Sequence, residues 1–180
     1  MTTVGSAPVP TRLARARLRG IVAVLAPVVL CVVAVMAFGV ATVQHDSMAP
    51  TLRSGGVVVF DRWSEPSRGD IVLFVDRQGW SEGEGTMLVK RVVGLPGDVV
   101  VCCDSLTGRL LVNDEVLEEP YVDAARTGGG IPFHVIVPEG TVWVLGDNRT
   151  HSTDSRATLS TATRGAVARD ALRGVVRVSW

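Results

Sequence analysis

The chain has 180 residues, of which 47% are hydrophobic, and its 18 basic and 18 acidic side chains cancel. This length allows one domain of ordinary size with an appendage, and the apolar content predicts a membrane-type segment. Residues 1–44 carry four bases and no acid, whereas the remaining 136 residues carry 14 bases and 18 acids, a net charge of −4. A domain that binds nucleic acid presents a basic patch on its folded part, so this distribution argues against a nucleic-acid partner.

The first predicted element is a transmembrane helix over residues 21–43, an apolar run of 23 residues. At about 1.5 Å per residue, the run is long enough to cross ~30 Å of hydrocarbon. The arginines before it place residues 1–20 in the cytoplasm as a basic tail, which we expect to be disordered. Residues 44–180 then form an extracytoplasmic domain. The basic residues of the tail are Arg12, Arg15, Arg17 and Arg19.

Two other interpretations of the apolar run stay open. A cleavable secretion signal has an apolar core of only ~7–15 residues, yet Gly39, Val40 and Ala41 could pass as its cleavage site. Cys31 would fit lipid attachment only if small residues preceded it, and Val-Val-Leu stands there. We therefore expect a retained single-pass anchor in which Cys31 is an ordinary apolar residue.

Residues 44–180 predict a mainly β domain with a barrel-like or two-sheet core. Short valine-rich runs alternate with Gly, Pro and Asp turn signals, and few long helical patterns occur. The predicted strands are Gly56–Phe60, Asp70–Val75, Met87–Val93, Asp98–Cys103, Arg109–Val112, His134–Val137, Thr141–Leu145 and Asp170–Val178.

Lys90 is the only lysine among the 18 bases. Lysine can act as a base when it is neutral, whereas arginine does not lose its proton in proteins. Strand alternation places Leu88 and Val92 on the same face as Lys90, an apolar setting that lowers the pKa of an amine from its usual ~10.4. A serine hydroxyl such as that of Ser47 needs a base of this kind to become a nucleophile. Alone, however, Ser47 is typical of a turn and Lys90 of a strand-edge lysine.

Three motifs favour a catalytic role for Ser47 and Lys90 because they occur together and in order. They are Ser47–Leu52 (SMAPTL), Lys90–Asp98 (KRVVGLPGD) and Gly146–Arg156 (GDNRTHSTDSR). They resemble the serine box, lysine box and last box of bacterial type I signal peptidases. The resemblance covers about residues 21–180. The fold that it implies is mainly β, a signal-peptidase-like β-barrel or two-sheet catalytic domain after one N-terminal transmembrane helix.

The resemblance implies that Ser47 is the nucleophile and Lys90 its general base. Four further residues would support this pair: Ser152 as a hydrogen-bond partner of the Lys90 amine, Asp154 and Arg156 as an ion pair, and Arg91 near that pair.

The resemblance also implies a substrate pocket. Met48, Leu52 and Val89 match positions that line the family's shallow apolar pockets, which accept substrates cut after small residues in an Ala-x-Ala pattern. The Ser47 backbone N–H would bind the oxyanion. His45 departs from the family pattern, since many members carry a second hydroxyl donor there. His45 or His151 acting as the base is the alternative arrangement.

The implied function is that of a membrane-bound serine endopeptidase that removes N-terminal signal peptides from secretory preproteins. We expect it to act as a monomer at the lipid bilayer, with no cofactor and no metal ion. A self-cleaving repressor of the Ser–Lys kind is disfavoured by the apolar span. An inactive membrane-tethered homologue that binds secreted proteins is disfavoured by the presence of both Ser47 and Lys90.

Cys102 and Cys103 are adjacent and would lie outside the cytoplasm, where disulfides are allowed. Two free thiols and a vicinal disulfide both fit the sequence, and neither cysteine is expected to be catalytic.

Overall fold

The computed structural model describes residues 12–81, 85–122 and 131–180. The chain divides into two units, residues 1–37 and residues 38–180. The described part of the first unit is one α-helix, α1, Arg12–Ala37. Its stretch Arg19–Ala37 has a mean hydropathy of 2.8 and none of it is buried. By length and composition alone, this stretch is able to cross a membrane.

The bounds of α1 differ from the prediction at both ends. Residues 12–20 were expected to be disordered but are helical, because Leu, Ala and Arg, which fill most of this segment, are strong helix formers. Residues 1–11 lie outside the described residues. Residues 38–43 were expected to complete the helix, but α1 ends at Ala37 and Phe38–Thr42 forms a strand, β1. The β-branched side chains of Val40 and Thr42 favour an extended backbone.

The second unit is mainly β, which confirms the predicted fold class. Every predicted strand is present with bounds within two residues of the expected ones, and β1 was missed, as were two strands of only two residues each. The described residues after β1 contain β2 (Val57–Asp61), β3 (Ile71–Val75), β4 (Met87–Gly94), β5 (Val99–Cys102), β6 (Leu111–Val112), β7 (Glu115–Val116), β8 (Phe133–Ile136), β9 (Thr141–Leu145), β10 (Val167–Ala168) and β11 (Leu172–Ser179).

The strands form two antiparallel sheets. Seven strands pair in the order β1-β2-β11-β3-β4-β9-β10, and four pair in the order β7-β6-β5-β8. In the larger sheet, β4 lies between β3 and β9, so that Lys90 is opposite Val72 and Arg91 is opposite Leu145. The chain that leaves β9 after Leu145 therefore begins beside the strand that carries Lys90.

The core consists of three clusters of buried side chains. One contains Val93, Val100 and Trp143, and another contains Phe74 and Val92. The third lies beneath the segment that carries Ser47 and includes Met48, Leu52 and Val58. Trp143 and Trp80 are buried, whereas Trp63 and Trp180 are exposed.

Cys102 and Cys103 form a vicinal disulfide across a cis peptide bond. Of the two states that the sequence allowed, the structure therefore shows the bridged one. Cys102 is buried at the end of β5, and Cys103 packs against the cluster that contains Val100 and Trp143.

Replacement of Gly39 by Ala tests the end of α1. A Cβ at Gly39 would meet the ring of Phe60 on β2, so we expect Gly39→Ala to lower the stability of the β unit by about 1–3 kcal/mol. If residue 39 were helical, Gly39→Ala would instead raise the stability, because Ala stabilises a helix by about 1 kcal/mol more than Gly does. Urea unfolding of the detergent-solubilised protein measures the difference. Gly20→Ala is the control, since its Cβ meets nothing within 4 Å, and a stabilised Gly39→Ala protein would contradict the strand.

Candidate active site

Ser47 lies on a short 3₁₀ turn, Asp46–Met48, that follows β1. Ala49 ends the turn in an extended conformation, as expected for a residue that precedes a proline. Its backbone N–H donates to the carbonyl of Asp46, and the Asp46 carboxylate accepts a hydrogen bond from the backbone of Ser54 at 3.0 Å. The turn is thus fixed locally, with Met48 buried below it and Ser47 partly exposed.

The Lys90 amine reaches this turn from the middle of β4. Its Nζ donates a hydrogen bond to the Ser47 Oγ at 2.7 Å. The two residues are 43 positions apart in sequence, and only the packing of the turn against the sheet brings them together. The distance is that of a nucleophile in direct contact with its base.

Burial determines the protonation of Lys90. The side chain is only 3% exposed, and Leu88 and Val92, two residues to either side, pack in one apolar cluster. Burial lowers the pKa of Lys90 to about 8, while the charges of Asp154, Asp76 and Asp147 act in the opposite direction. At this pKa the neutral amine is accessible near neutral pH, as a general base requires.

Arg91 contacts Asp147, an acid to which the sequence assigned no partner. It holds the Asp147 carboxylate by two hydrogen bonds, of 2.8 Å from Nε and 2.6 Å from Nη2. The ring of Tyr121 lies 3.8 Å from its guanidinium carbon. Asp147 directly follows the chain's exit from β9, beside β4, so the register of those strands explains the pairing.

Asp154 and Arg156 pair with each other. The guanidinium donates to both carboxylate oxygens at 2.8 and 2.7 Å. Asp154 also accepts the backbone N–H of Gly146 at 3.0 Å, and Arg156 donates to the carbonyl of Arg149 at 2.8 Å. The pair therefore ties both ends of the 146–156 loop together.

Ser152 does not bind Lys90 in this structure. Its Oγ is buried and has no hydrogen-bond partner among the described residues. The hydroxyl lies where a Cβ of Gly146 would be, and the Ser47 carbonyl adjoins the same spot. Ser152 thus packs closely against Gly146 beside the site, but it does not make the expected hydrogen bond to the Lys90 amine.

A cavity of about 510 Å³ opens beside the Ser47 hydroxyl. Its walls are two extended segments, residues 41–45 and 85–90, and Val58 and Leu73 also line it. Of the predicted pocket residues, Val89 lines this cavity. Met48 is fully buried in the cluster under the turn, and Leu52 is 4% exposed there, so both support the cavity from below instead of lining it.

The two candidate histidine bases occupy different places. His45 is exposed and lines the cavity together with Ser47 and Lys90. His151 is exposed and its Nδ1 lies 2.9 Å from the hydroxyl of Thr150. The hydrogen bond that Ser47 Oγ makes is with Lys90. Within the described ranges, no cluster of His, Cys, Asp or Glu is able to hold a metal ion.

Several residues that hold the site were not singled out from the sequence. Asp147 belongs to the motif Gly146–Arg156 but had no partner assigned, and Glu119 had no role assigned. Glu119 pairs with Arg149, and both side chains are almost fully buried. Their 30-residue separation leaves no local pattern from which the pair could be predicted.

Comparison with known proteins gives consistent relatives. Residues 17–180 match the family described as signal peptidase, peptidase S26. Signal peptidase I of Mycobacterium tuberculosis (strain H37Rv) is 31% identical over 194 residues, covering 83% of this chain and 65% of the relative. Signal peptidase I U of Bacillus subtilis (strain 168) is 35% identical over 125 residues, covering 63% of each protein.

Among solved structures, a signal peptidase I from Enterococcus faecalis V583 is similar at 30% identity and a TM-score of 0.49, covering 63% of this chain and 98% of that one. The chain spans just under two thirds of the length of the two curated relatives named above, 65% and 63%.

The buried pair of Glu119 and Arg149 predicts a large effect on stability. Glu119→Gln removes the carboxylate charge that is paired with the buried Arg149 guanidinium, so we expect a loss of about 3–5 kcal/mol in the free energy of unfolding, measured in urea. Glu118→Gln is the matched control, because Glu118 pairs with Arg109 at the surface, where ion pairs contribute little. Equal effects of the two substitutions would show that the buried pair does not hold the loop.

Proposed function

The chain belongs to the signal peptidase family, peptidase S26, and from this we propose that it is a serine endopeptidase that removes N-terminal signal peptides from secretory preproteins. The observation that carries the proposal is the 2.7 Å hydrogen bond between Lys90 Nζ and Ser47 Oγ. This contact lies at the wall of an open cavity, where an extended peptide has access to the hydroxyl.

In the proposed reaction, the neutral Lys90 amine takes the proton of Ser47 as Oγ attacks the scissile carbonyl carbon. The Ser47 backbone N–H stabilises the oxyanion, and His45, which lines the cavity, supplies the second donor. The C–N bond then breaks, and the protonated Lys90 gives its proton to the leaving amine. A water molecule, deprotonated by Lys90, finally hydrolyses the ester to Ser47.

Specificity for small residues is proposed from the cavity walls. Val89, Leu88 and Leu73 present apolar side chains beside the reacting pair. A pocket of limited size rejects larger side chains sterically, which favours cleavage after an Ala-x-Ala-like sequence. Ser152, Asp154, Arg156 and Arg91 support the pair from the adjoining loop and strand.

We also propose that residues 19–37 anchor the protein in the cell membrane by a single pass, with the N-terminus cytoplasmic and the β unit extracytoplasmic. The support is the mean hydropathy of 2.8 over this stretch and the arginines that precede it. The anchor would hold a monomeric enzyme near its membrane-bound substrates. Digestion of the β unit by protease added to intact spheroplasts tests this orientation.

Substitution of the reacting pair tests the activity. Ser47→Ala and Lys90→Met remove the nucleophile and the base, and Lys90→Arg keeps a charge that cannot be lost. We expect each to lower the cleavage rate of a purified preprotein by about three orders of magnitude or more. Ser105→Ala, at an exposed serine, is the control. A wild-type protein that binds the preprotein without cutting it would favour the inactive, binding homologue.

The pH dependence tests the assignment of Lys90 as the base. With its pKa at about 8, the neutral fraction of the amine rises with pH, so kcat/KM should increase about tenfold between pH 7 and pH 9 and then level off. Initial rates on a peptide substrate over pH 5–10 measure the profile. A rate that is already maximal at about pH 5 would exclude a lysine base.

A further inference from the structure

Thr51 connects the end of the Ser47 segment to a buried acid. Its Oγ1 donates a hydrogen bond to Asp147 Oδ2 at 2.6 Å, although the residue as a whole is exposed. Asp147 has no exposed side-chain surface. A short hydrogen bond to a buried carboxylate is among the stronger ones in proteins, so this contact fixes where the segment after Ser47 lies.

The other side of the same segment is held by Asn148. Its backbone N–H donates to the Ser47 carbonyl at 3.0 Å, and its side-chain amide donates to the Asp46 carbonyl at 3.1 Å. Asn148 therefore holds the serine turn at Asp46 and Ser47, while Asp147 holds the segment after the turn at Thr51.

Asp147 is in turn bound to β4, the strand that carries Lys90. Asp147 is bound at both carboxylate oxygens by Arg91, the neighbour of Lys90 on β4. Arg91 is itself fixed to the carbonyl of Gly69 at 2.7 Å. Hydrogen bonds thus run from β4 through Asp147 to Thr51, which the backbone joins to the serine turn three residues earlier in the chain.

We propose that Thr51 is a positioning residue, whose hydroxyl acts through Asp147 and Arg91 to hold the Ser47 Oγ against the Lys90 Nζ. The inference rests on the proposed function, because it assigns Thr51 a part in the same reaction. Thr51 does not line the cavity beside Ser47, and its role is to set geometry. Small displacements of reacting groups cost large factors in rate, up to about 10²-fold for 1 Å.

Kinetics of three variants test the proposal. Thr51→Val keeps the size and loses the hydroxyl, and we expect kcat to fall about tenfold with KM within about twofold. Thr51→Ser keeps the hydroxyl and should restore kcat to within about threefold. Thr141→Val is the matched control, since it makes the same substitution at a threonine whose hydroxyl donates to the Pro138 backbone carbonyl at 2.7 Å, outside the site. All are assayed below their unfolding temperatures.

A second measurement does not depend on activity. Lys90 is the only lysine, so the protein labelled with [¹³Cε]lysine gives one side-chain NMR signal. We expect Thr51→Val to move this signal toward its position in Ser47→Ala, and Thr141→Val to leave it in place. An unmoved signal in Thr51→Val, equal kcat in Thr51→Val and Thr141→Val, or no rescue by Thr51→Ser would each overturn the inference. A wild-type protein without peptidase activity would contradict the proposed function, while the signal still decides whether Thr51 positions the pair.

Discussion

The burial of one amine is the constraint on which the rest of the site depends. Lys90 is 3% exposed, and removal from water favours its neutral form. A carboxylate bound directly to the amine would reverse that effect by stabilising the charged form. The site therefore has to keep Lys90 buried and in contact with Ser47, and it has to keep carboxylates from binding the amine directly.

The arginines around the site meet this requirement. Asp147 forms an ion pair with Arg91, and Asp154 forms one with Arg156. The third carboxylate that acts on Lys90, Asp76, is occupied by the backbone and hydroxyl of Ser81. Because a guanidinium keeps its charge and binds a carboxylate at two points, these pairs do not exchange their acid for the lysine. The acids still raise the pKa of Lys90, yet less than burial lowers it.

The same ion pairs arrange the backbone. Asp147 accepts a hydrogen bond from Thr51 in the segment after the serine turn, and Asp154 accepts one from Gly146 in the loop that contains Ser152. Each buried acid thus has both an electrostatic role and a structural one. The Ser152 hydroxyl is the unsatisfied group in this arrangement, since it is buried within the described site without a partner. His45, by contrast, is exposed at the cavity.

The sequence by itself determined the fold class and most strands of the β unit, because valine-rich alternation and turn residues are local signals that need no partner. The solitary lysine is also a local signal, whereas Ser47 became a candidate only through the resemblance of three ordered motifs to a known family. Only the tertiary structure decided where α1 ends, since β1 is defined by its pairing with β2. It also decided that Arg91 binds Asp147, 56 positions away, and that Met48 lies beneath the cavity. Such contacts depend on strand register and packing, which no single stretch of sequence contains.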